Sequence, residues 1–143
     1  MAKYLNSKQE NFFRTFRKLA DERITQMVES PVEINENLDA IRNWKPASYS
    51  IGDVRLYEGN PYKCAQAHDS TNNEAWNPTV ASLWIQYHGT TPETARAWVA
   101  PTGAHDMYKA GEYMIYTDGL KYSCVQDTTY SPVEYAGAWK VVE

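Results

Sequence analysis

Apolar residues in the first thirty positions recur at helical spacing, and past position 45 that rhythm gives way to short alternating runs broken by glycine and proline. Phe13, Phe16, Ala20, Ile24 and Met27 fall three and four residues apart, with Phe12, Leu19 and Val28 on the shoulders. This predicts one amphipathic helix of about five to six turns. Ser7-Lys8-Gln9-Glu10 fits a capping box at its start, and Ser30-Pro31 follows its end. A shorter helical pattern, Ile34, Leu38 and Ile41, stops at Trp44-Lys45-Pro46. Beyond it, Val54-Arg55-Leu56-Tyr57 and Tyr62-Lys63-Cys64-Ala65 read as strands joined by the turn Glu58-Gly59-Asn60-Pro61. Residues 113–116 and 121–125 read as a second pair flanking Asp118-Gly119, a dipeptide suited to a type I′ hairpin. The expected fold class is α+β: an N-terminal amphipathic helix followed by two small antiparallel β modules.

The β region says one thing twice. Tyr49, Gly52 and Tyr57 recur at a constant offset as Tyr108, Gly111 and Tyr116. One inserted residue in the second turn shifts Gly59, Tyr62 and Cys64 onto Gly119, Tyr122 and Cys124. Each copy runs on to an aromatic-x-Pro triplet, Trp76-Asn77-Pro78 or Tyr130-Ser131-Pro132, and closes on Trp84 or Trp139. So many matched aromatics and glycines mark an internal duplication. Trp84 and Trp139, flanked by apolar residues, are expected to fill the cores. Gly52 and Gly111 suit a tight bend before each first strand. Cys64 and Cys124 occupy matched positions in different modules, so two buried thiols are favoured over a disulfide.

The composition shift near residues 43–46 divides the chain into a helical assembly region at 1–43, a first module at 44–88, a linker at 89–97 and a second module at 98–143. The helix must bury its stripe, on the β modules, on other copies or on another protein. Self-association or docking is slightly favoured, because small β modules rarely offer a long groove. Phe13, Phe16, Ala20, Ile24 and Met27 are therefore the expected oligomerisation face, holding a homo-oligomer, a trimer or larger. The net charge of −4 and the lack of a dense basic cluster argue against nucleic acid as a partner. No apolar run approaches membrane-spanning length. On the helix, Arg14, Arg17, Lys18 and Arg23 are interleaved with Asp21, Glu22 and Glu29, unlike a membrane-surface helix. The first ten residues lack the apolar core of a leader, so synthesis in the cytoplasm is expected, with release by lysis or on a larger assembly.

The ordered motif Tyr49-x-x-Gly52-Asp53-Val54-x-x-Tyr57-x-Gly59-x-x-Tyr62-x-Cys64-x-x-x-His68-x-Ser70, then Trp76-x-Pro78 and Leu83-Trp84, resembles the type-3 chitin-binding modules, carbohydrate-binding module families 5 and 12. The second copy resembles a diverged member, reading Asp127-Thr128-Thr129 in place of the His-x-Ser segment. The resemblance implies that the aromatic of the aromatic-x-Pro triplet stacks on a sugar ring: Trp76, with Tyr130 as its shifted counterpart. The residues alone agree for Trp76, since Asn72, Asn73, Glu74 and Asn77 around it cannot line an interior. For Tyr130, platform and packing are evenly balanced. Trp76, Tyr130, Tyr57 and His68 are the candidate carbohydrate-binding residues.

The helical start, the tandem modules and the string Pro101-Thr-Gly-Ala-His-Asp106 resemble small accessory proteins encoded near tail-fibre genes of phages and prophages of Gram-positive bacteria. That resemblance implies a virion tail location, a cell-surface glycan as ligand, and other tail proteins as partners of the helix. Catalysis is not expected: modules of this size leave no room for a cleft with two opposed carboxylates. His68, Asp69 and Ser70 are consecutive and cannot supply triad geometry, so His68 reads better as a loop-fixing side chain. No cofactor or metal site is expected, since His68, His88 and His105 are scattered. The alternative to glycan binding is a structural virion or scaffold protein whose modules serve only protein contacts.

Overall fold

The computed structural model describes residues 7–143. It is α+β, one long N-terminal helix followed by small, mainly antiparallel sheets. Helix α1 spans Ser7–Met27 and α2 spans Pro31–Glu36. Ser7 is already helical, so it does not act as the cap that the Ser7-to-Glu10 pattern implies. Residues 1–6, on which part of the leader argument rests, lie outside the described range. Ser30 caps α2, its hydroxyl accepting the Glu33 N–H at 3.3 Å, with Pro31 in the first turn. The second helical pattern is split: α2 stops at Glu36 and Leu38–Ala40 forms a separate 3-10 turn. Asn35 and Asn37 mark the break, each donating from its side chain to the carbonyl four residues back at 2.8 Å.

The apolar stripe of α1 divides in two. Ile24 and Met27 are buried with Ile34, Ile41, Val54 and Tyr87, so the last turns of the helix pack on the first β module rather than on another chain. The groove that a small sheet lacks is supplied by α2 and the 3-10 turn, through Ile34 and Ile41. The Tyr87 hydroxyl fastens this contact by donating to the Val28 carbonyl at 2.6 Å. Phe13 and Phe16, by contrast, are 54% and 64% exposed, and Ala20 is half-buried. Of the expected oligomerisation face, Ile24 and Met27 are thus spent inside the chain.

Asp21 ties the helix to the segment leading into the first module, receiving Arg42 at 2.6 Å and Arg17 at 2.8 Å. Partial burial would raise its pKa, but hydrogen bonds from Arg42 and Arg17 and their charges hold it below the usual carboxylate value. A lowered native pKa stabilises the fold above the unfolded value of about 4, and the contribution fades as pH falls through the native value. Asp21→Asn is expected to cost about 0.5–1 kcal/mol at neutral pH, since the pair is solvent-screened. The deficit should disappear in acid, once the carboxyl is protonated in the folded state as well as the unfolded. Urea unfolding at both pH values checks it, and an equal deficit at both would refute the charge-based account.

In the first module β1 (Ser48–Tyr49) pairs with β4 (His68–Asp69), while β2 (Val54–Tyr57), β3 (Asn60–Cys64) and β5 (Trp84–Gln86) form a three-stranded antiparallel sheet. In the second, β6 (Arg96–Ala97), β7 (Tyr113–Ile115), β8 (Lys121–Cys124) and β9 (Trp139–Val141) lie side by side in chain order. The β6–β7 pairing is parallel and the other two are antiparallel. Residues 89–97 are therefore not a free linker: Gly89 bridges Tyr113, and Arg96–Ala97 joins the second sheet.

Around the first bend the two modules share matching bonds. The Gly52 N–H donates to the Cys64 carbonyl and the Gly111 N–H to the Cys124 carbonyl, both at 2.9 Å. Asp53 and Glu112 accept the N–H groups of Ser50 and Lys109, both at 2.8 Å. Each cysteine is free and buried, its thiol facing the carbonyl of Gln66 or Gln126. Trp84 and Trp139 fill the two cores, each edge-on to its tyrosine, Tyr49 or Tyr108.

The hairpin turns differ, and not as the dipeptides suggest. Glu58 and Gly59 both take positive φ, 51° and 82°, the geometry of a type I′ turn. In the second hairpin only Gly119 does so, at 82°. The inserted residue there lengthens the loop, the Tyr116 N–H bonding the Leu120 carbonyl and the Gly119 N–H the Tyr116 carbonyl. That is the three-residue arrangement in which a glycine closes a bulge.

Candidate functional site: aromatic faces on the two modules

In the first module a polar loop carries Trp76 outward. Ser70 anchors its start, fully buried, donating to the Ala47 carbonyl at 3.0 Å and accepting the Ala47 N–H at 3.2 Å. Asn73 and Asn77 then form side-chain turns, accepting the N–H groups of Ala75 and Thr79 at 3.1 and 3.0 Å. Pro78 is fully buried and pins the loop two residues past Trp76, whose own ring stays 43% exposed.

His68 stands behind this ring. Its centroid lies 6.4 Å from Trp76, 5.7 Å from the buried Trp84 and 5.9 Å from Tyr49. Its Nδ1 donates to the Gln66 carbonyl at 2.7 Å, and its Nε2 is buried without a hydrogen-bond partner. The imidazole thus lies between the core rings and the surface ring, edge-on to Trp76. Its neighbours face elsewhere: Asp69 accepts from Thr71, which holds its pKa low, and Ser70 binds Ala47.

Tyr57 is not part of this face. Its ring meets Trp44 edge-on at 5.7 Å at the margin of the core. Tyr130 lies on the other module and is 55% exposed. Its backbone is fixed from both sides, the N–H donating to Thr128 Oγ1 at 2.9 Å and the carbonyl accepting Trp139 Nε1 at 3.0 Å. Of the four candidates, therefore, Trp76 and His68 come together, Tyr57 packs on Trp44, and Tyr130 sits apart.

Tyr130 has a companion that the sequence did not announce. Tyr135, 42% exposed, borders with Tyr130 and Glu134 an open hollow of about 420 Å³. The only cue along the chain is Tyr135-x-Gly137, a glycine that leaves room for the ring.

Among the described residues no group of His, Cys, Asp and Glu is arranged to hold a metal ion, and no helix is long and apolar enough to cross a membrane. No family model matches the chain, and no curated protein matches it.

Proposed function

We propose that the chain is a non-catalytic carbohydrate-binding protein of the type-3 chitin-binding kind, working as a host-surface adhesin on a phage tail or similar assembly. The observation that carries this reading is Trp76: a large flat ring held outward on a polar loop that Pro78 and Ser70 fix from below. Pyranose rings offer a face of C–H groups that packs on such a surface, and a preset platform adds little ordering cost on binding. Titration with chitin oligomers and purified cell-wall polysaccharide, followed by tryptophan fluorescence, tests it. Folded protein that responds to no glycan overturns the reading.

The exposed half of α1 supplies the assembly element of the same proposal. Phe12 and Phe16 stack at 6.4 Å and Phe12 meets Phe13 edge-on at 5.6 Å, forming an aromatic strip in water. Fully covering such a side chain is worth up to about 1.5–3 kcal/mol, which favours packing the strip against other copies in a trimer or larger assembly. Linked copies would also multiply weak single-site sugar affinity. Phe16→Asp is expected to release monomers with folded modules, read by light scattering and far-UV circular dichroism. An unchanged assembled mass, or a wild type that is already monomeric, refutes this role for the helix.

The same strip favours a second reading, a structural virion or scaffold protein with modules used only for protein contacts. Trp76→Ala separates the two: loss of glycan binding with normal assembly counts against the scaffold reading.

A further inference from the structure

We infer that the second module has its own saccharide platform, built from the pair Tyr130 and Tyr135 and selecting neutral or amino sugars over acidic ones through Glu134. The inference rests on the carbohydrate-binding reading above and extends it to a site of different construction. The loop from Thr128 to Trp139 is shorter than the matching loop from His68 to Trp84, and Thr128 stands where His68 pairs with the preceding tyrosine. The second module thus lacks the imidazole that backs Trp76. Two exposed tyrosines around a hollow take the place of one tryptophan.

Both residues are anchored in the loop. Tyr130 is held through its backbone by Thr128 and Trp139. The Tyr135 N–H donates to the Ser131 carbonyl at 2.8 Å, and its hydroxyl reaches Gln126 Oε1 at 3.4 Å. Its ring lies against Gly137, where an added Cβ would come within 3.0 Å of the Tyr135 Cε1. The glycine therefore lets the ring lie down on its own backbone and present a face outward. The hollow is open and bordered by these three residues, a shape that suits one face of a sugar ring rather than an enclosed ligand.

Glu134 sets the charge preference. Glu134 and Ser131 bond reciprocally: Oε1 accepts the Ser131 N–H at 3.0 Å, and the Ser131 hydroxyl accepts the Glu134 N–H at 3.1 Å. The Glu134 carboxylate also borders the hollow. It can accept hydrogen bonds from sugar hydroxyls or from a protonated amino group, and it repels carboxylate or phosphate.

The test is calorimetry on the full chain with a soluble glucosamine oligomer and a polyuronate of similar length. Trp76→Ala should keep a measurable affinity for the glucosamine oligomer. Adding Tyr135→Ala to it should weaken that remainder roughly tenfold. Tyr135→Phe in the same background should retain it, since the ring face survives. Gly137→Ala should weaken it by tilting the ring without unfolding the module, and Glu134→Gln should narrow the gap between the two polymers. If Trp76→Ala alone removes all binding, or Tyr135→Ala changes nothing in its background, the second platform is refuted while the Trp76 reading stands. Equal binding of the polyuronate by the Trp76→Ala chain refutes the charge selection. A folded wild type that binds no glycan refutes both readings at once.

Discussion

Trp76→Ala is expected to weaken glycan binding by roughly thirtyfold, the weight of a hot-spot aromatic, about 2 kcal/mol. Stability should change by no more than about 0.5 kcal/mol, because the ring is an exposed side chain on an anchored loop. The asymmetry is the diagnostic point: a platform residue moves affinity and leaves folding alone, whereas a packing residue moves both. His68 sharpens the contrast, since it touches Trp84 and Tyr49 as well as Trp76. Calorimetry with chitin oligomers beside urea unfolding gives the two numbers. Unchanged affinity would place the binding face elsewhere; a large loss of stability would return Trp76 to the core.

Gly89→Ala should produce the largest loss of stability of any one-methyl change considered, about 2–3 kcal/mol or more. A Cβ there would lie 2.3 Å from the Thr94 carbonyl oxygen and 2.8 Å from the Ala95 Cα, and both obstacles are backbone. The collision falls where three parts of the chain meet. The Gly89 carbonyl accepts the Tyr113 N–H at 2.9 Å, and the His88 carbonyl accepts from Asn35 of α2 at 3.0 Å. Arg96, half-buried, donates to the Tyr87 carbonyl at 3.0 Å and to Asn35 Oδ1. His88 itself stacks on Tyr108 at 3.7 Å and meets Glu112 at 2.8 Å. Moving residues 89–95 apart would loosen the helix and both modules together. A shift in urea midpoint equivalent to less than about 0.5 kcal/mol would show that the backbone yields at little cost.

The helix was legible in the sequence because a period of three and four over five turns has no other reading. Its partner was not, since a stripe announces that a face is buried but not against what. Ile34 and Ile41, which complete the groove for Ile24 and Met27, sit on either side of a break that no periodicity links. The hairpins were legible as hairpins, yet the type I′ turn falls in the first of them rather than in the second. Asp-Gly has the stronger type I′ preference, but an inserted residue in the second loop overrides it, and the glutamate of Glu58-Gly59 takes the positive φ instead. Residues 89–97 carry the proline and polar residues of a connector, and only pairing with the distant Tyr113–Ile115 draws Gly89 and Arg96–Ala97 to the second sheet. At the candidate site, Trp76 stood out because its polar neighbours deny it an interior. Tyr135 did not, because its platform depends on a glycine beneath it and a second tyrosine across a hollow, both relations through space.

Cys64 and Cys124, one at the end of a central strand in each module, also give the molecule two internal clocks. Both thiols are almost wholly shielded from solvent, and burial pushes the Cys64 thiol up and the Cys124 thiol up to about 11. A group that is both enclosed and protonated at neutral pH is invisible to thiol reagents until its strand comes away. Labelling rates therefore time the opening of each module separately within a single intact chain. The duplication thus lets one half of the protein serve as the internal standard for the other.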